Sequence, residues 1–113
     1  MDVEREFRRV LGELPAEVYI DVPETRPAEF YSVELTGTTT AHGGTLCTST
    51  IAVQCWAANR RRARELFDVL TAKLPSICYA SGGIGSATLE GGYRFDDMAS
   101  RTPRYQALIK LNH

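Results

Sequence analysis

Between residues 47 and 74 the spacing of apolar side chains changes its period, and this change constrains the fold more than any other feature of the chain. In "CTSTIAVQCWA" (47–57), Cys47, Ile51, Val53 and Cys55 share one parity, and Thr48, Thr50 and Gln54 fall on the other. Strict alternation describes a strand with one buried and one wetter face. In "AANRRRARELFDVLTAKLP" (57–75), Ala63, Leu66, Phe67, Leu70 and Leu74 lie within an arc of roughly 100° on a helical wheel, the width of a core-facing stripe. The pattern predicts a helix over 59–74 that follows the strand almost directly and ends at Pro75.

The rest of the chain supplies what such a pair packs against. Val3, Phe7, Val10, Leu11 and Leu14 form one face of an amphipathic helix over 3–14, with Asp2, Glu4 and Glu6 at its start, where carboxylates suit the helix dipole. Four more segments alternate: "EVYIDV" with Val18, Ile20 and Val22; "FYSVELTG" with Tyr31, Val33 and Leu35; "SATLEGGYRF" with Ala87, Leu89, Tyr93 and Phe95; and "RYQALIKLNH" with Tyr105, Ala107, Ile109 and Leu111. One-sided strands need a cover, and the helix between them provides it. The expected fold is therefore a single two-layer α+β domain over residues 1–113. It has a mainly antiparallel five-stranded sheet and two helices in the order α-β-β-β-α-β-β. "TGTTTAHGGT" (36–45) and "FDDMASRTP" (95–103) read as long hairpin connections, which in small domains often carry function. "EGG" at 90–92 inside a strand suggests a bulge or a close approach by another backbone.

Charge narrows the function. Thirteen basic residues stand against fourteen acidic ones, a net charge of −1. Dedicated nucleic-acid-binding domains carry a basic excess, so the balance opposes that class. The three cysteines, Cys47, Cys55 and Cys78, have no metal-ligand spacing and read as reduced thiols in a reducing compartment. No run approaches the ~20 apolar residues of a membrane span, and the charged start has no signal-like apolar region. The expectation is a soluble protein without membrane contact.

Chemistry-bearing patterns are scarce. His42 sits in a glycine-threonine loop and His113 ends the chain, and neither has a triad arrangement with a cysteine or serine. "GGIGS" lacks the lysine of a phosphate loop and precedes a strand instead of a helix. "FDDM" reads as a turn. We expect no enzyme, no metal and no cofactor.

The arginines remain. Arg61 and Glu65 are four apart, as are Arg64 and Asp68, which gives local partners on a solvated helix face. Arg60, Arg61 and Arg62, however, occupy the first turn, where exposed positive charge opposes the dipole by about 0.3–1 kcal/mol per residue. Three readings stand open: a solvated face, guanidiniums offered to a carboxylate-bearing protein surface, and a nucleic-acid contact. On the second reading the candidate interface comprises Arg60, Arg61, Arg62 and Arg64, facing acids of a neighbour such as Asp96 and Asp97. Thr38, Thr39, Thr40 and His42 of the 36–45 loop join it, a loop expected to be mobile alone and to order on contact.

Taken together, "TIAVQCWAANRRRARELFDVLTAKL", "GGYRFDDMASRTPRYQALIKLNH" and the helix leading into "VYIDVP" resemble the tail terminator (tail completion) family of long-tailed bacteriophages and their prophages. The resemblance spans nearly the whole chain and rests on element order and loose patterns. It implies a non-enzymatic virion protein, made in the bacterial host cytoplasm and placed in the virion tail. Such a protein caps the tail tube, stops its polymerisation and forms the tail side of the head–tail joint. Its implied partners are copies of itself in a ring, a hexamer in this family, together with the tail tube protein and the head–tail connector protein. Ring contacts are heterologous, one face of a subunit meeting a different face of the next. The alternatives are a ferredoxin-like cytoplasmic ligand-binding or regulatory module, and a nucleic-acid binder using the arginines.

Overall fold

Asp2 opens the first helix by accepting the N–H of Arg5 on its carboxylate at 3.1 Å. In the computed structural model, which describes residues 2–41 and 46–113, this helix (α1) runs Val3–Val10 and not to residue 14. Leu11 closes it, its N–H reaching the Phe7 carbonyl while that of Gly12 reaches Arg9, and residues 12–14 turn away towards Pro15. The remaining elements are β1 (Glu17–Tyr19), β2 (Phe30–Ala41), β3 (Leu46–Trp56), α2 (Arg60–Lys73), a 3-10 turn at Leu74–Ser76, the single-turn α3 (Ile77–Ala80), β4 (Ser86–Arg94) and β5 (Arg104–Asn112). The expected α+β class and order hold.

The five strands form one sheet in the order β1-β2-β3-β5-β4. Only the short β1–β2 pair is parallel, and every other neighbour is antiparallel. β3 and β4 both run opposite to β5, so α2 carries the chain over the sheet between two strands of like direction, with β5 slotted between them. α2 ends at Lys73, two residues before Pro75, which lies within the 3-10 turn Leu74–Ser76.

One face of the sheet meets the helices. Tyr31 and Val33 of β2, Ile51, Val53 and Cys55 of β3, and Ala107, Ile109 and Leu111 of β5 pack there with Phe7, Ala63, Leu66, Leu70 and Ile77, all fully buried. The buried Tyr31 hydroxyl donates to the Leu66 carbonyl at 2.8 Å, so α2 is fixed on β2 by a hydrogen bond as well as by apolar contact. Burial pushes both the Tyr31 hydroxyl and the Cys55 thiol upward, so each stays neutral. The stripe read from α2 is the one that is buried.

Three further expectations need correction. Residues 36–41 are not loop: β2 continues through Thr38, Thr39 and Thr40 to Ala41, paired with β3 residues 46–50. Threonine is β-branched and suits a strand, but its hydroxyl hid the pattern. Here the hydroxyls join the ladder: Thr36 Oγ1 donates to the Thr50 carbonyl at 3.0 Å, and Thr38 and Ser49 hydroxyls meet at 2.9 Å. His42 lies outside the described residues. Second, β1 stops at Tyr19, leaving Val22 exposed. Third, Tyr93 and Phe95 do not share a face with Ala87 and Leu89, because the register slips by one residue between Leu89 and Gly91. The bulge expected at 90–92 is therefore present, and it sends everything after it to the other face. The close approach it suggested is by a side chain: a Cβ on Gly92 would lie 2.2 Å from the Phe67 ring.

Candidate protein-interaction surface

The start of α2 is less exposed electrostatically than its sequence implies. Asn59 supplies the cap, its side chain accepting the N–H of Arg62 at 2.8 Å. Arg61 lies 3.5 Å from Glu65 and Arg64 3.0 Å from Asp68, the expected neighbours one turn on. Arg62 has a partner that no spacing suggests, Glu29 at the foot of β2 at 2.8 Å, and it shares Glu65, three residues on, at 3.1 Å. Hydrogen bonds to these two carboxylates hold the Arg62 guanidinium even more firmly protonated than usual. Arg64 also lies over the rings of Phe67 and Tyr105, at 5.3 and 5.7 Å. Among the described residues Arg60 alone of the four makes no ion pair, at a helix end with no acid in its first turn. Exposed pairs contribute only about 0–1 kcal/mol each, so this network neutralises charge more than it stabilises.

The acids assigned to a neighbour's surface are held within this chain. Arg94 grips Asp96 at 2.6 Å. That contact, with the charge of Arg60 adding to it, keeps the carboxyl below its ordinary value. Arg60 thus acts on Asp96 of its own chain through its charge, without an ion pair to it. Asp97 accepts from Ser100 and lies 3.6 Å from Arg26, and the Ser100 contact is the chief reason its carboxyl is also depressed. The tip of this β4–β5 hairpin holds Arg101 at φ 56°, a left-handed conformation that a side chain other than glycine adopts at a cost. Met98 beside it is 87% exposed.

On the sheet face away from the helices, half the surface is closed by polar and aromatic contacts. Ser32 donates to Gln54, Gln54 to Gln106, and Gln106 to the Tyr93 hydroxyl, at 2.7, 2.8 and 2.6 Å, crossing four strands. Trp56 Nε1 donates to Ser32 at 2.9 Å, and its ring stacks on Phe30 at 5.2 Å. Arg26 and Arg104 lie over the same indole at 5.1 and 4.8 Å. The parity read as the wetter face is thus buried at Ser32, Gln54, Trp56 and Gln106. Nearer the other end it opens, where Thr48, Asn112 and Ser86 form a second, exposed ladder.

The structure also joins a pair the sequence kept apart. Ser49 Oγ lies 2.6 Å from His113 Nε2. Ser49 is fully buried and its other neighbour is the Thr38 hydroxyl, not a carboxylate, so this is a strand-end tether and not an exposed nucleophile. Among the described residues no group of three or more His, Cys, Asp or Glu is placed to hold a metal ion, and no helix is long and apolar enough to cross a membrane.

A scan against protein-family models and a search of curated proteins both find no match for this chain. The surface must therefore be judged on geometry. Its most open part is the edge of β2. β1 pairs with residues 30–32 only, so residues 33–41 have no strand partner on that side among the described residues. The Glu4 carboxylate takes the outward N–H of Leu35 at 2.7 Å, and no charged residue or proline interrupts 35–41. Natural edges are usually blunted by such residues. At the base of this edge Glu17, Asp21 and Glu34 are exposed, and among the described residues none of the three makes an ion pair. Sequence reasoning did not single out these three acids, and it missed the contacts of Glu29 and Glu4, since each reaches a residue distant in the chain. Asn59 it could have found, as a capping residue immediately before the helical stripe.

Proposed function

We propose that this chain is a tail-terminator-like structural protein of a bacteriophage or prophage. On this reading it caps a tail tube, ends its polymerisation and forms the tail side of the head–tail joint. Its partners are copies of itself in a closed ring, the tube protein below and a connector above. The observation that carries the reading is the pair of unlike open flanks on one small domain: an unblunted, uncharged β2 edge bordered by unpaired acids, and an Arg-bearing β4 flank. A surface that differs on its two sides supports head-to-tail contacts, which close into rings when the rotation allows. The element order α-β-β-β-α-β-β agrees with what the resemblance implies. Arg60, Arg61, Arg62 and Arg64 with Asp96 and Asp97 then belong to one composite boundary, and Thr38, Thr39 and Thr40 line its other side.

The test is assembly on a tube. Tail tube protein mixed with this chain should give capped tubes that no longer elongate, seen by electron microscopy. Tubes that grow to the same lengths with and without the chain would count against termination. The basic-patch alternative is read in the same material, since nucleic-acid binding would show a steep loss of affinity with salt.

A further inference from the structure

We infer that the β4 edge of one copy adds to the free edge of β2 in the next, so that the sheet continues from subunit to subunit. This rests on the ring reading above and names the joint within it. Cys47 and His113 exchange both of their backbone hydrogen bonds, so odd residues of β3 bond to β5 and even ones to β2. Beyond the bulge between Leu35 and Gly37, Thr48 faces Thr39 and Thr50 faces Gly37. The groups of Thr38 and Thr40 therefore point outward, away from β3. The same alternation at the other side of the sheet turns the backbone of Ala87, Leu89 and Gly92 outward from β5. β4 is nine residues long, and nine residues of β2 lie beyond its β1 partner.

Strand direction agrees. β2 and β5 run one way and β3 and β4 the other. A rotation about an axis roughly along the strands preserves those directions, so a neighbour's β4 meets β2 antiparallel, the more stable pairing. Charge agrees as well. Antiparallel alignment brings the Arg94 end of β4 beside the start of the free β2 edge, and the register puts the end of β3, which leads into Arg60, at the same level of the sheet. There Glu34, Asp21 and Glu17 make no ion pair among the described residues. The other end of β4, Ser86 to Leu89, carries no charge and meets the uncharged threonine stretch. The carboxylates that answer Arg60 across the boundary are these, not Asp96 and Asp97.

The experiment measures assembly by sedimentation across a concentration series, with and without tube protein, alongside a thermal melt of each variant. Thr38→Pro removes an outward N–H that no β3 residue uses, so the fold should persist while the assembly midpoint rises by at least about tenfold. Glu34→Arg and Arg60→Glu should each weaken assembly by about tenfold or more, and the double variant should recover most of it, because the pair is reversed and not removed. If the parent assembles and the proline and both charge variants assemble equally well, the joint lies elsewhere and the ring reading survives. A parent that stays monomeric with and without tube protein overturns both. Should Thr38→Pro unfold, the charge reversal decides alone: recovery in the double variant supports the joint, and its absence overturns it.

Discussion

The body of this domain and its β2–β3 arm, residues 36–41 paired with 46–50, are built from the same strands and differ in almost every other respect. In the body, apolar side chains meet α1 and α2 on one face while a hydrogen-bonded ladder and a stacked tryptophan close half of the other. In the arm, threonines occur on both strands, and among the described residues no strand lies beside its outward backbone groups. Burial holds the body together. The arm adds little apolar area and depends on backbone pairing with β3 and on short hydroxyl contacts. The difference sets a test of the proposed joint: substitutions in the core of the body should change melting, and those on the outward edge of the arm should change mass.

The comparison breaks most easily at Phe67. Truncation to alanine should cost about 3–5 kcal/mol, close to the whole stability of a domain this size. Denaturant unfolding checks it, and a parent-like melt would mean that α2 does not anchor the body. The same ring gives a second handle. Gly92→Ala puts a methyl group where the Phe67 ring already lies, and overpacking of this kind should cost about 1–3 kcal/mol. The double variant Gly92→Ala with Phe67→Leu should lose less than the two single effects combined, since the clash disappears with the ring.

On the far face the test is polar. Gln54→Ala removes the acceptor of the Ser32 hydroxyl and the donor to Gln106 Oε1 in a buried site, which should cost about 1–3 kcal/mol. A neutral result by chemical denaturation would mean that water enters the ladder and that this half of the face is not closed. Smallest is Arg101→Gly at the β4–β5 hairpin tip. Relief of a left-handed φ should stabilise the fold by about 0.5–1 kcal/mol after glycine's own entropy cost. The shift is read as a small rise in melting temperature.

Legibility in the sequence followed the same division. Ala63, Leu66, Phe67 and Leu70 are the buried stripe of α2, and Ile51, Val53 and Cys55 the buried parity of β3, because both patterns are local and apolar. The arm was hidden because its threonines are polar on both faces, so neither parity stood out. Tyr93 and Phe95 were placed on the wrong face because a single extra residue at the bulge inverts the parity of all that follows. For the candidate surface, the pairs one turn apart, Arg61 with Glu65 and Arg64 with Asp68, could be read directly. Glu29 on Arg62 and Arg26 on Asp97 could not, since strand order brings them together and no spacing records it.

The central claim is that two unlike flanks of this domain join copies into a ring that caps a tube. The most direct measurement is the mass of the purified protein by light scattering over a wide concentration range, alone and mixed with tail tube protein. The account predicts a discrete closed oligomer, formed alone at high concentration or on the tube, with no open-ended growth of mass. A protein that remains at 12.5 kDa under both conditions would contradict it.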